Sequence, residues 1–147
     1  MEDVKKKAIE LFNNGFNCSQ VVLNAFSADL GLNDEQALKI ATAFGGGMAK
    51  QQFICGAVTG AYMVLGLKYG KFLKGDEKSK IHTYEMVHQF NSEFIKHNKS
   101  IHCKDILGHN LNTEKGKKII EENNLIEVKC EKAINTAIEI LDELINK

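Results

Sequence analysis

The sequence contains no proline, no arginine and no tryptophan, and only 7% of its residues are aromatic. Without proline, helices can run uninterrupted through long parts of the chain. The 19 lysines balance 19 acidic residues, and no basic arginine-containing face is present, so we expect no nucleic-acid partner. No apolar run reaches the roughly 20 residues that cross a bilayer, and no leader pattern follows the lysines at 5–7. We therefore expect a cytoplasmic protein without a signal peptide or membrane anchor.

The sequence does contain apolar residues at helical spacing along most of its length. This pattern predicts an all-α fold, a single domain over residues 1–147 with about six or seven helices. No charged residue occurs between Phe53 and Leu67, so a helix at about 54–69 is predicted to be central and wrapped by the others. A long amphipathic helix follows it, and we interpret its apolar stripe as part of the core or as an interface, such as the surface of a homodimer. The residues of this stripe are Ile81, Tyr84, Val87, Phe90 and Phe94.

Glycines cluster before and within the predicted central helix. The run Gly45, Gly46, Gly47 lacks the lysine and hydroxyl of a P-loop, so we interpret it as a turn whose bare backbone lets a group approach Cys55. Gly56 and Gly60 cost about 1 kcal/mol each inside a helix, which predicts close approach of a neighbouring helix or a bound group. All five glycines are thus candidate backbone contacts of a cofactor. The residues at 50–52 could reach a nearby anion, but a solvated loop is favoured.

Four cysteines share one recurring setting. Each falls at or near the start of a predicted helix and begins an apolar or small-residue stripe: Cys18, Cys55, Cys103 and Cys130. A helix N-terminus favours thiolate over thiol because of its partial positive charge and free N–H donors. In a reducing cytoplasm such cysteines are metal ligands or redox-active groups more often than disulfides. Their shared setting predicts convergence on one spot.

Three functions fit a four-cysteine centre. The first is electron transfer or metal binding, in which all four thiolates hold an iron–sulfur cluster or zinc. The second is thiol–disulfide exchange by an oxidoreductase, in which Cys55, or failing that Cys18, attacks and another cysteine resolves the mixed disulfide. The third is a structural zinc domain that docks to a partner. Because no C-x-x-C pair is present, the spacing does not choose between them or fix a pairing.

The motifs around these cysteines resemble a known family, the C-GCAxxG-C-C redox-active proteins. The resemblance spans almost the whole chain: 15–20 (GFNCSQ), 44–48 (FGGGM), 55–60 (CGAVTG), 103–108 (CKDILG) and Cys130. It implies a small helical redox protein whose functional residues are the four cysteines. The resemblance does not say whether its partner is another redox protein or a small molecule. This chain has Cys55-Gly56-Ala57 where the family has Gly-Cys-Ala. The chain is similar as well to the non-haem part of split-Soret cytochrome c, which implies an iron–sulfur site.

Overall fold

A computed structural model describes residues 1–146, and over that range the chain folds into eight α-helices without a β-strand. The prediction of an all-α fold is confirmed. Lys147, the last residue of the predicted domain, lies outside the described residues. The helices are α1 (Glu2–Asn13), α2 (Cys18–Ser27), α3 (Asp34–Ala41), α4 (Gly56–Tyr69), α5 (Glu77–Asn98), α6 (Cys103–Leu107), α7 (Glu114–Glu122) and α8 (Glu131–Ile145).

One asparagine cap fixes the start of the second helix. The Asn17 side chain accepts a hydrogen bond from the Gln20 backbone N–H at 3.0 Å, and the Gln20 side chain accepts one from the Asn17 N–H at 2.9 Å. This reciprocal capping box satisfies two N–H groups that a helix otherwise leaves unpaired. It places Cys18 as the first residue of α2.

Helix α4 is the centre of the fold, as its apolar sequence predicts. Residues 56–61 are all buried, and α4 packs against α2, α5 and α8. A Cβ atom at Gly60 would lie 2.8 Å from the Ser19 carbonyl oxygen. Gly60 therefore allows α2 to approach α4 closely. Of the two reasons offered from the sequence for this glycine, a neighbouring helix is the one that applies.

The apolar stripe of α5 divides between core and surface. Phe90 and Phe94 are fully buried and stack with ring centroids 5.7 Å apart. Ile81 and Tyr84, near the start of the helix, are 55% and 58% exposed. The second half of the stripe thus belongs to the core, and the dimer surface stays a prediction. None of the helices within residues 1–146 is long and apolar enough to cross a membrane.

Candidate functional site

Three of the four cysteines lie at the beginning of a helix. Cys18 and Cys103 are the first residues of α2 and α6, and Cys55 is the N-cap of α4. Cys130 precedes α8 as predicted, but it ends a π-helical turn, Ile126–Cys130, that continues into α8. Because the backbone is helical on both sides of Cys130, this cysteine lacks the free helix N-terminus that we expected.

All four cysteines line one cavity of about 660 Å³. Cys18, Cys55 and Cys103 are buried, Cys130 is partly exposed, and all four are free thiols. They come from four segments of the chain and from both ends of it. The fold therefore brings the complete set of cysteines to a single partly enclosed space.

Cys55 and Cys103 are held side by side by their backbones. The Cys55 N–H donates to the Ile101 carbonyl at 2.8 Å, and the Cys103 N–H donates to the Phe53 carbonyl at 2.7 Å. These bonds flank an isolated antiparallel bridge between Ile54 and His102. The bridge fixes the first residue of α6 against the N-cap of α4.

The thiols of Cys18 and Cys130 affect each other's ionisation. Hydrogen bonding with Cys18 lowers the pKa of Cys130 below its usual value. The same interaction, together with burial, raises the pKa of Cys18 well above its usual value. Within this pair, Cys130 is therefore the thiol that ionises first.

Burial dominates the ionisation of the other two thiols. It raises the pKa of Cys55 to about 11, although the N–H groups of Ala57 and Val58 at the start of α4 act in the opposite direction. Burial, and then the charge of Cys55, raise the pKa of Cys103 to about 12. The expectation that helix N-termini would make these thiols acidic is wrong, because desolvation outweighs the helix.

The glycine-rich run forms a turn, as the sequence predicts, and the backbone of this turn is left-handed. Five consecutive residues have positive φ: Gly46 (65°), Gly47 (69°), Met48 (66°), Ala49 (53°) and Lys50 (64°). Three of them are not glycine, and each costs roughly 1–2 kcal/mol in this conformation. Hydrogen bonds from later N–H groups close the turn, including Gln52 to Gly46 at 3.1 Å and Phe53 to Gly47 at 2.9 Å. A strained backbone thus lies against the cavity, where strain often marks function.

Gln52 joins this turn to the segment beyond α6. Its side chain donates to the His109 carbonyl and accepts from the Leu111 N–H, both at 2.9 Å. It also hydrogen-bonds to Cys103, which moderates the rise in that thiol's pKa. Gln52 is only 6% exposed, so the solvated loop favoured from the sequence is wrong at this residue. All three partners are distant in sequence, so no local signal identifies Gln52.

The five candidate glycines divide into two groups. Gly45, Gly46, Gly47 and Gly56 line the cavity, and at Gly47 and Gly56 an added Cβ atom would press on a cysteine. A Cβ atom added at Gly47 would lie 2.7 Å from the Cβ of Cys103, and one added at Gly56 would lie 3.0 Å from the Cβ of Cys18. Gly60 does not line the cavity and instead serves helix packing, as described above.

The four cysteines line the same cavity without forming a tight group of metal ligands. Among residues 1–146, no three cysteine, histidine, aspartate or glutamate side chains lie close enough together to hold a metal ion. The arrangement offers one pair of thiols that affect each other's ionisation, Cys18 and Cys130, and two further thiols on the wall of the same cavity.

The fold and the site thus place the chain in the class of all-α proteins that have a four-cysteine site. Residues 16–144 match the family model described as "Putative redox-active protein (C_GCAxxG_C_C)". The match covers most of the chain, which therefore belongs to this family. No curated protein and no solved structure matches the chain.

Proposed function

We propose that this chain is an electron-transfer protein that binds an iron–sulfur cluster through Cys18, Cys55, Cys103 and Cys130. The observation that carries the proposal is the presence of all four cysteines on the wall of one cavity. Four cysteine thiolates are a common ligand set for such clusters. A function that used only two of them would leave the other two buried thiols unexplained. Free thiols also suit the reducing cytoplasm, which we propose as its location.

The size of the cavity favours a cluster over a single zinc ion. A single zinc ion requires its four ligands about 2.3 Å from one point, and no three ligand side chains come together in that way. A cluster has several iron atoms, so its ligands can stand further apart. The cavity of about 660 Å³ leaves room for such a group.

When bound, an iron–sulfur cluster accepts and releases electrons at a potential set by its surroundings. The chain supplies the surroundings that set it. Gln52 moderates the rise in the pKa of the Cys103 thiol, and the backbone of Gly47 lies close to the Cβ of the same residue. The thiols of Cys18, Cys55 and Cys103 are buried, which limits solvent access and shifts the potential.

The test is anaerobic purification and reconstitution, followed by a visible spectrum and quantitative iron, sulfide and zinc. We expect stoichiometric iron and sulfide, and loss of the bound iron in each of the four single Cys→Ser variants. Urea unfolding of the metal-free variants separates loss of a ligand from loss of the fold. A colourless protein without iron after reconstitution would refute the proposal, and stoichiometric zinc would replace it with a structural or regulatory site.

Thiol–disulfide exchange is the second candidate, and the contact between Cys18 and Cys130 favours it. The Cys130 thiolate, which has the lowered pKa, would attack a substrate disulfide and release one substrate thiolate. Cys18 would lose its proton and attack Cys130 in the mixed disulfide, which leaves a Cys18–Cys130 disulfide and the second substrate thiolate. Two electrons pass from the protein dithiol to the substrate, and two protons complete the substrate thiols.

This second candidate assigns the attack to Cys130, whereas the sequence favoured Cys55. It predicts that Cys18→Ser and Cys130→Ser abolish reduction of a small disulfide, while Cys55→Ser and Cys103→Ser retain it. Equal losses in all four variants would instead support the cluster.

A further inference from the structure

The left-handed turn on the cavity wall contains unpaired backbone donors. Within residues 1–146, the N–H groups of Gly46, Gly47 and Ala49 donate no hydrogen bond. All three residues line the cavity; Gly47 is buried, Gly46 is partly buried and Ala49 is exposed. Buried backbone N–H groups are almost always paired, so the N–H of Gly47 indicates a missing acceptor. Successive N–H groups in turns form concavities that bind anions.

Two lysines lie on the wall of the same cavity. Neither Lys50, in the left-handed turn, nor Lys117, on α7, forms an ion pair with any residue in the described range 1–146. Glu121 is the one acidic residue among those that line the cavity. The two lysines and this carboxylate together leave one positive charge in excess on the cavity wall.

Most of the remaining wall is apolar. It includes Phe12, Ile106, Leu107, Ile120 and Ile126. A cavity of about 660 Å³ falls within the range of roughly 300–1,000 Å³ that is typical of small-molecule sites. An apolar body and a single anionic group would match the two chemical faces of this space.

We propose that the cavity binds a small molecule with an apolar body and one carboxylate or phosphate group. Its anionic end accepts hydrogen bonds from the left-handed turn and lies beside Lys50 and Lys117, and its body packs on the apolar wall. The inference rests on the proposed function in one respect: the cysteines next to this ligand make it the redox substrate or electron partner. Binding itself does not require the cluster.

The test uses octanoate, octyl phosphate and the neutral octanamide as probes, titrated calorimetrically into the cluster-free, reduced protein. We expect saturable binding of octanoate or octyl phosphate, and at least tenfold weaker binding of octanamide. Lys50→Gln and Lys117→Gln should each weaken binding of the anionic probe about fivefold, because each removes one exposed charge partner. Lys115→Gln is the matched control, an exposed lysine on α7 outside the cavity, and should leave the affinity unchanged.

The result that overturns the proposal is the absence of saturable binding of both anionic probes. Equal affinity for octanamide and octanoate would overturn it too, as would equal affinity in the wild type and the Lys50→Gln/Lys117→Gln double variant. Reconstitution of the cluster in the same lysine variants keeps the two proposals separate. If the unpaired N–H groups serve only bound cysteine thiolates, the cluster will form while neither anionic probe binds. If no cluster forms, binding of the probes remains measurable.

Discussion

The backbone of Gly56 lies directly against Cys18, so that a Cβ atom at residue 56 would be 3.0 Å from the Cβ of Cys18. In the family motif, GCAxxG, the glycine comes first and the cysteine second. When the alanine of the motif is matched to Ala57, the cysteine of the motif corresponds to residue 56. This chain reverses the two residues and has its cysteine at the N-cap, residue 55. In this chain Cys18 interacts most strongly with Cys130, and with Cys55 only electrostatically.

Restoring the family order should therefore change which cysteines pair. In the variant Cys55→Gly/Gly56→Cys, a shift of about 0.5 Å would bring the two Cβ atoms within the range of a disulfide. We expect mild oxidation with diamide to link residues 18 and 56 in this variant, and Cys18 and Cys130 in the wild type. Mass mapping of peptides from the metal-free protein reads out the pairing. Persistence of the Cys18–Cys130 link in the variant would contradict the prediction, and Gly56→Ser controls for the added side chain.

The order of thiol alkylation should follow the pKa values of the metal-free, reduced protein. A lowered pKa gives Cys130 more thiolate at neutral pH, whereas Cys55 and Cys103 stay protonated until the pH approaches about 11 and about 12. We expect iodoacetamide at pH 7 to modify Cys130 first. Cys18→Ala should slow this reaction, because it removes the hydrogen bond to the Cys130 sulfur. Site-resolved mass spectrometry over pH 6–10 checks the order, and preferential labelling of Cys55 would refute it.

An alanine at residue 47 should destabilise the protein more than an alanine at another left-handed glycine. Gly47 has φ +69°, and a Cβ atom there would lie 2.7 Å from the Cβ of Cys103 and from the Gln52 backbone. Backbone strain and overpacking together predict a loss of about 3 kcal/mol for Gly47→Ala. The control is Gly31→Ala, with φ +87° and open space around it, which should lose about 1 kcal/mol. Urea unfolding measures both, and equal losses would show that the contact with Cys103 adds nothing.

Relief of strain in the left-handed turn should stabilise the protein. Ala49 is exposed and has φ +53°, so Ala49→Gly removes a Cβ penalty without removing a buried contact. We expect a gain of about 0.5–1 kcal/mol in the free energy of unfolding. Ala43→Gly, at an exposed residue of the 3-10 turn Thr42–Phe44, should lose a similar amount. A loss in both variants would mean that the left-handed conformation is not strained.

The sequence predicts those features that depend on local patterns. Apolar spacing predicts the helices and the central α4, and the sequence also predicts that Cys18 lies at the start of a helix, which is α2. The contact of Cys18 with Cys130 depends on the packing of α2 beside α8, which spacing does not encode. The left-handed turn is equally hidden, because Met48 and Ala49 carry no propensity for positive φ. The thiol pKa values depend on burial, and only the fold determines burial.

Residues 46–50 have the backbone hand that mirror-image amino acids prefer. In a chain made by chemical synthesis, D-alanine in place of Ala49 would occupy its own favoured region of conformational space. The same replacement at Ala57, inside right-handed α4, would oppose the helix. The wall beside the cysteines could thus be stiffened with one inverted stereocentre while every side chain of the protein is kept.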